Sequence, residues 1–239
     1  MDHDQLAQKE NAMIDLTYRE DDANYCIVGF FTPNYRAIAK RFSDNLREYD
    51  IPHHLVAYPT LPSWEAAILR KPEVLAAFMN SHPDRVHVLM DVDSVVRGPL
   101  TPLAEVKGKD ALVTFYKRRS MKAASSRITV WFPTPASFRL VEAWHDECRT
   151  ADIPCDEVCL TYAINGFGQG MAIEPVPEGY RGVEMNHRNK ADIVVHWSAH
   201  DATRPWARIK KRTKFIKRRM VELFLGGKSY EEWKHGTSA

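Results

Sequence analysis

Two aspartates one residue apart, Asp91 and Asp93, follow the run Val86-His87-Val88-Leu89-Met90, and apolar residues resume at Val95-Val96. A short apolar run of this kind reads as a buried strand of a parallel sheet, and ligands bind beyond the carboxyl ends of strands in open α/β sheets. Two carboxylates at that point are costly unless a cation accepts them. A divalent metal carrying a diphosphate is the simplest cation, because Mg2+ and Mn2+ take oxygen ligands shared between carboxylates and phosphates. A strand end turning into a solvated loop is the competing account.

Two carboxylates do not complete a metal's ligand set. His196 is the further candidate, because Ile193-Val194-Val195 runs directly into it as a second strand end. Cations and aromatics follow in His196-Trp197-Ser198-Ala199-His200 and Arg204-Pro205-Trp206. A structural histidine packed in a core is the alternative at this position.

The elements that must hold these residues alternate between strand and helix. Tyr25 to Phe31 reads as the first buried strand, ended by the turn residues Thr32-Pro33-Asn34-Tyr35. A helix from about Arg36 to Glu48 places Ile38, Phe42 and Leu46 on one face, and His54 to Tyr58 reads as the next strand. Ser63 is placed to cap a short helix through Leu69, and Pro72 suits the first turn of a helix running to about Asn80. After the acidic strand, further strands are expected at Ala111 to Phe115, Arg127 to Phe132, Ala172 to Val176 and Asp192 to His196. Helices are expected from Pro135 to Cys148, with Phe138, Val141 and Trp144 buried, and from Asp156 to Ala163. The β-loop-α-β opening predicts the start of a doubly wound sheet.

With 239 residues, 44% apolar and 27% charged, the chain can bury a substantial core as one domain with an appended terminal element. No stretch is apolar for long enough to cross a bilayer, and Met1 to Asp22 lacks the apolar core of a signal peptide, so a cytoplasmic location is expected. The first 22 residues read as a polar segment. Cys26, Cys148, Cys155 and Cys159 show no CxxC spacing and no zinc pattern, and are expected to be reduced.

Charge is distributed unevenly. The segment Thr203 to Ala239 has 11 Lys/Arg against 3 Asp/Glu, a local +8 in a chain of net +2. Within it, Trp206, Ile209, Ile216, Met220 and Leu223 share a helical face, and Lys210, Lys211, Arg212, Lys214, Lys217, Arg218 and Arg219 cover most of the rest. This predicts a C-terminal basic amphipathic helix. It could dock on the core with a solvated cationic face, or bind nucleic acid or an anionic membrane surface.

Taken together and in order, these stretches resemble GT-A-fold glycosyltransferases that use nucleotide sugars, of the glycogenin-like retaining branch. Thr32-Pro33-Asn34-Tyr35 resembles the loop that meets the nucleoside base, Trp64 with Lys71-Pro72 the helical segment before the metal motif, and Met90 to Val96 the DxD strand. His196-Trp197-Ser198 through Arg204-Pro205-Trp206 resembles the family's late His…Lys-Pro-Trp ending, with Arg204 in place of lysine and Ala199-His200 where a glycine is usual. Asp156-Glu157 stands where relatives have an acidic pair near the donor sugar.

The resemblance implies a GT-A-type, Rossmann-like mixed sheet over 23–206, followed by the basic extension at 207–239. It implies a transferase moving a sugar from a nucleotide diphosphate donor, a UDP-sugar, to an acceptor hydroxyl with retention. Asp91, Asp93 and His196 would hold Mn2+ or Mg2+. Thr32, Asn34, Tyr35, Lys71, Asp91, Val92 and Arg204 would bind the donor. Asp156 and Asp93 would act at the reacting centre, although Asp156 equally suits a helix N-cap. The basic tail would receive an anionic acceptor such as DNA or a lipid-linked glycan. Two rival readings follow from the same residues. Asp91-Val92-Asp93-Ser94-Val95 also fits the first motif of a haloacid-dehalogenase-like phosphohydrolase with Asp91 as nucleophile, but two strands precede it where that fold would open. A non-enzymatic nucleic-acid-binding protein would use the basic helix alone.

Overall fold

The computed structural model of the chain describes residues 14–20, 23–118, 121–183 and 192–196. The basic helix expected over 206–225, and Arg204 with it, lie outside the described residues.

Two strands of near-continuous apolar character lie at the centre of the main sheet. They are β2 (Tyr25–Phe31) and β4 (Val86–Met90), paired in parallel with Ile27 opposite Val88. Both are covered on their two faces, which is why neither alternates in sequence. β3 (His53–Ala57) runs parallel on the far side of β2, and β1 (Leu16–Tyr18) closes that edge antiparallel to it. On the other side of β4 the direction reverses. β7 (Met121–Trp131) pairs antiparallel with β4 and with β6 (Ala111–Arg118), and the two-residue β8 (Ile173–Glu174) ends the sheet parallel to β6. The order β1-β3-β2-β4-β7-β6-β8 is therefore a seven-stranded sheet of the mixed kind that the resemblance implies. The parallel sheet expected around the acidic strand is realised only on its β2 side, because β7 returns antiparallel on the other. The acidic strand lies within it rather than opening the fold as the hydrolase alternative requires.

The helices follow their apolar spacing. α1 (Arg36–Glu48) buries Ile38, Phe42 and Leu46. α2 (Trp64–Ile68) is capped by Ser63, whose Oγ accepts from the Ala66 N–H at 3.1 Å. α3 (Lys71–Ser81) has proline in its first turn, where a missing N–H costs nothing. The one-turn α4 (Thr101–Ala104) follows the acidic strand. α5 (Pro135–Thr150) starts at Thr134, which accepts from the Ser137 N–H, and buries Val141 and Trp144. α6 (Asp156–Phe167) packs beside it, and the two helices with α3 enclose the main core around Leu75, Leu89, Trp131, Leu140, Trp144 and Leu160. Trp131 and Trp144 stack there with centroids 6.1 Å apart. All four cysteines are free thiols.

Two features were not expected from the sequence. The segment read as polar at 1–22 contributes β1, a three-residue strand too short to register as a pattern. It is held by cross-chain bonds: Arg47 Nη2 donates to the Thr17 carbonyl at 2.9 Å, and Tyr18 Oη donates to Asp50 at 2.8 Å. A second, three-stranded sheet also forms, with β5 (Ser94–Val96) and β9 (Gly182–Val183) on either side of β10 (Val194–His196). Asn45 of α1 secures its β5 edge like an extra strand. Its amide donates to the Val96 carbonyl at 3.0 Å and accepts from the Val96 N–H at 2.7 Å. No helix among the described residues is long and apolar enough to cross a membrane.

Candidate active site

The site lies where β4 ends. Close approach of β2 and β4 there depends on Gly29, because a Cβ at that position would stand 2.8 Å from the Met90 carbonyl oxygen and 3.2 Å from Leu55. Beyond Met90 the chain leaves the sheet through Asp91-Val92-Asp93. Val92 is buried, while Asp91 and Asp93 are half-buried.

Asp91 meets a cation from within the protein. Lys71 is the first residue of α3 and only 7% exposed. Its Nζ lies 2.7 Å from Asp91 Oδ1 and 2.9 Å from Asp156 Oδ2, and donates to Ser126 Oγ at 3.1 Å. Ser126 in turn donates to Asp156 Oδ2. Burial opposes the charge on Lys71, but the carboxylates of Asp156 and Asp91 outweigh it and raise its pKa, so the ammonium stays protonated. Burial pushes Asp91 up to about 7 despite the attraction of Lys71. A quarter of that side chain, 26%, remains exposed, so it stays within reach of a ligand.

Asp156 is not an N-cap. Cys155 occupies that position without a capping side-chain hydrogen bond, and Asp156 is the first helical residue, 4% exposed and turned to Lys71. Trp144 Nε1 fixes the helix start by donating to the Asp156 carbonyl at 3.0 Å. The capping account of Asp156 fails because the salt bridge to a buried ammonium outweighs a cap's single hydrogen bond.

An irregularity in the main sheet builds the floor. Val113 of β6 pairs with Thr129 of β7, but Thr114 pairs with Ser125, so 126–128 have no β6 partner. Such a bulge re-aims side chains. Here two adjacent serines are both buried and both donate to α6: Ser126 to Asp156, and Ser125 to Glu157 at 3.1 Å. Tyr116 donates to the other Glu157 oxygen.

His196 arrives from the small sheet. β10 pairs antiparallel with β5, placing His196 opposite Ser94 and one register position from Asp93. Ser94 Oγ donates to the Asp91 carbonyl at 2.7 Å, and His196 Nδ1 lies 2.7 Å from the same oxygen. The single hydroxyl proton is spent on the carbonyl, so Nδ1–H is the donor and Nε2 keeps its lone pair. Nε2 is buried and has no hydrogen-bond partner among the described residues, and the residue is 6% exposed. Burial, with lesser contributions from Arg127 and Lys71, lowers its pKa to about 3, which holds the ring neutral. A neutral imidazole whose other nitrogen donates to an oriented oxygen is in the state that metal ligation requires.

The donor set thus fits a divalent cation in kind: an imidazole with a free lone pair, and two carboxylates. It is not assembled as a cage. Among the described residues no three of His, Cys, Asp and Glu are grouped to hold a metal ion, and Asp91 is engaged by Lys71. The remaining expected residues lie around this centre or beyond it. Thr32, Asn34 and Tyr35 form the turn after β2, where Thr32 Oγ1 donates to Asn34 Oδ1 at 2.6 Å and Tyr35 is half-buried. Trp64 is exposed. Ser94, Ser126, Tyr116 and Asn45 were missed by the sequence reading, because isolated polar residues have no periodic signal and their roles come from long-range pairing.

The fold has known counterparts. A glycosyltransferase involved in glycosylation of the major capsid of PBCV-1 superposes with a TM-score of 0.58 at 12% identity, over 72% of this chain and 92% of that one. The galactosyltransferase LgtC, in complex with donor and acceptor sugar analogs, gives 0.44 at 12% identity over 72% and 87%. The glycosyltransferase GlyE of Streptococcus pneumoniae TIGR4 gives 0.49 at 11% identity over 72% and 54%. No family model and no curated protein sequence matches the chain. The superposition at a TM-score of 0.58 shows that the chain has a GT-A-type glycosyltransferase fold.

Proposed function

We propose that this chain is a metal-dependent glycosyltransferase that moves a sugar from a nucleotide diphosphate donor, UDP-linked, to an acceptor hydroxyl with retention. One observation carries the reading: the partnerless, buried Nε2 of His196 lies one register position from Asp93, at the end of the acidic strand of a GT-A-type fold. Asp93, His196 and the exposed part of Asp91 would hold Mn2+ or Mg2+. When bound, the ion supplies Lewis-acid neutralisation of charge on the departing diphosphate.

The chain's own residues do the rest. Thr32, Asn34 and Tyr35, in the turn after β2, would meet the base, and Val92, buried just beyond β4, would complete the donor-binding set. Lys71 would add positive charge near the diphosphate, and the family resemblance implies the same for Arg204. Asp156 Oδ2 is already bound by Lys71 and Ser126, which suits a fixed anion orienting sugar hydroxyls rather than a base that must exchange a proton. Retention follows from the family resemblance, with the leaving phosphate taking the acceptor proton. The +8 segment from Thr203 to Ala239 supports an anionic acceptor, DNA or a lipid-linked glycan.

The test is a panel of nucleotide sugars with Mn2+, measuring release of nucleoside diphosphate. Turnover of a UDP-sugar is expected, and Asp93→Asn or His196→Ala should reduce it by about a hundredfold or more. A protein that neither binds nor turns over any donor in the panel would end this reading. Offering duplex DNA and lipid-linked saccharides as acceptors then separates the two sources of anionic charge.

A further inference from the structure

Lys71 is a cation placed between two anions with opposite duties. Asp91 belongs to the strand end that would take a metal, whereas Asp156 opens α6 on the other side of the ammonium. The two distances, 2.7 Å to Asp91 and 2.9 Å to Asp156, are nearly equal, so the ammonium is shared. Ser126 biases the balance, because it accepts from Lys71 and donates to the Asp156 oxygen that Lys71 faces, which makes the Asp156 side a closed triangle of hydrogen bonds. Asp91 has no such clamp, and its carboxylate is the more exposed, 26% against 6%.

We propose that Lys71 is an internal competitor for the metal site: it holds Asp91 when no ion is present and is drawn fully onto Asp156 and Ser126 when a divalent cation takes Asp91. The inference rests on the metal site proposed above and adds to it a coupling between that site and Asp156, a residue outside the ligand set. Asp156 and Ser126 strengthen metal binding by retaining Lys71. Remove either, and the ammonium falls to Asp91 and excludes the ion. Coupling of this kind typically changes affinity five- to about 150-fold.

Binding of Mn2+ alone, followed by the loss of the free-ion signal in electron paramagnetic resonance, tests this without any turnover. Ser126→Ala changes no charge, yet should weaken Mn2+ binding about threefold to fivefold. Asp156→Asn should weaken it by about tenfold. In a Lys71→Gln background the effect of Asp156→Asn should vanish, because the competitor is gone. Wild-type affinity in Ser126→Ala overturns the proposal. So does an Asp156→Asn effect that persists unchanged without Lys71, since it would then be the plain loss of a nearby negative charge. If Lys71→Gln does not fold, Ser126→Ala decides alone. Failure of the wild-type protein to bind Mn2+ would remove the metal reading and this inference together. Mn2+ binding without turnover of any donor would count against the transferase reading only.

Discussion

The chain carries two kinds of ionic contact, and they differ in what burial makes of them. Around Lys71, the ammonium, the Asp156 carboxylate and the Ser126 hydroxyl are almost wholly withdrawn from water, and Asp91 keeps a quarter of its side chain exposed. On the outer surface of α1, Lys40 and Asp44 form an ordinary i,i+4 pair at 2.9 Å with side chains 69% and 55% exposed. The distances are alike. What differs is the solvent that would replace the contact if it broke. Water takes over at once for Lys40, whereas nothing does for Lys71, so the same geometry is incidental in one place and obligatory in the other.

The largest effect should therefore come from breaking the buried cluster. Lys71→Met leaves two carboxylates at the end of β4 and the start of α6 without their counter-charge, and should lower the unfolding free energy by about 3–5 kcal/mol in urea titrations. Adding Asp91→Asn and Asp156→Asn to Lys71→Met should recover most of the loss, since the uncompensated charge is then gone. No recovery would mean that Lys71 matters through packing of its stem, and the contrast with Lys40 would be one of volume rather than of charge.

Legibility in the sequence follows the same division between local and distant causes. β2, β4, α1 and α5 were readable because their apolar spacing is a local consequence of burial, and Ser63 and Pro72 because caps and first turns are local too. The partial convergence of the site was readable as well: Asp91, Asp93 and His196 are strand ends, and strand ends of one fold gather at one edge. The Lys71 cluster was not. Lys71 is 20 residues from Asp91 and 85 from Asp156 in the numbering, and only the β7 irregularity brings Ser126 beneath them. Asp156 was read as both cap and sugar contact for the same reason, because an acidic residue before a helix looks identical whether it faces the first turn or a buried ammonium. β1 was missed since three residues hold no period and its bonds come from Arg47 and Asp50, far along the chain.

A second way to sharpen the contrast uses a buried ring with one nitrogen unpartnered among the described residues. His87 in β4 is 1% exposed, and its Nε2 makes no hydrogen bond. Burial lowers its pKa to about 4. The folded protein keeps this ring neutral, while the unfolded chain takes up the proton below about pH 6.5, so stability is full above that pH and is lost as pH falls toward 4. At pH 5 the loss should be about 2 kcal/mol from this residue. His196, lowered by the same cause to about 3, adds a parallel loss. In His87→Phe the fall of melting temperature between pH 6.5 and 5 should be visibly shallower than in the wild type. An unchanged slope would show that water reaches the ring.

Neutral bonds fall next in the ranking. Asn45→Ala removes both hydrogen bonds to Val96 and leaves a part-buried N–H and carbonyl at the β5 edge, which should cost about 1–2 kcal/mol. Because β5 carries Ser94, the partner of His196, hydrogen exchange should quicken across Ser94–Val96 and Val194–His196 more than in β2 or β4. Uniform acceleration would mean that the small sheet opens only with the whole fold.

The smallest effect belongs to the surface pair, and it is the control on which the comparison depends. Lys40→Ala removes an ion pair of the same length as the Lys71–Asp156 contact, yet the released Asp44 carboxylate stays hydrated and regains its rotamers. The change in unfolding free energy should stay below about 0.5 kcal/mol and shrink further in 0.5 M salt, where the screening length falls to a few ångströms. Lys71→Met should respond far less to a monovalent salt, because Lys71 and Asp156 are buried and screening acts mainly on exposed charges. If both variants responded to salt alike, the ammonium of Lys71 would be as accessible as that of Lys40, and its role as an internal competitor for a metal would have no physical basis.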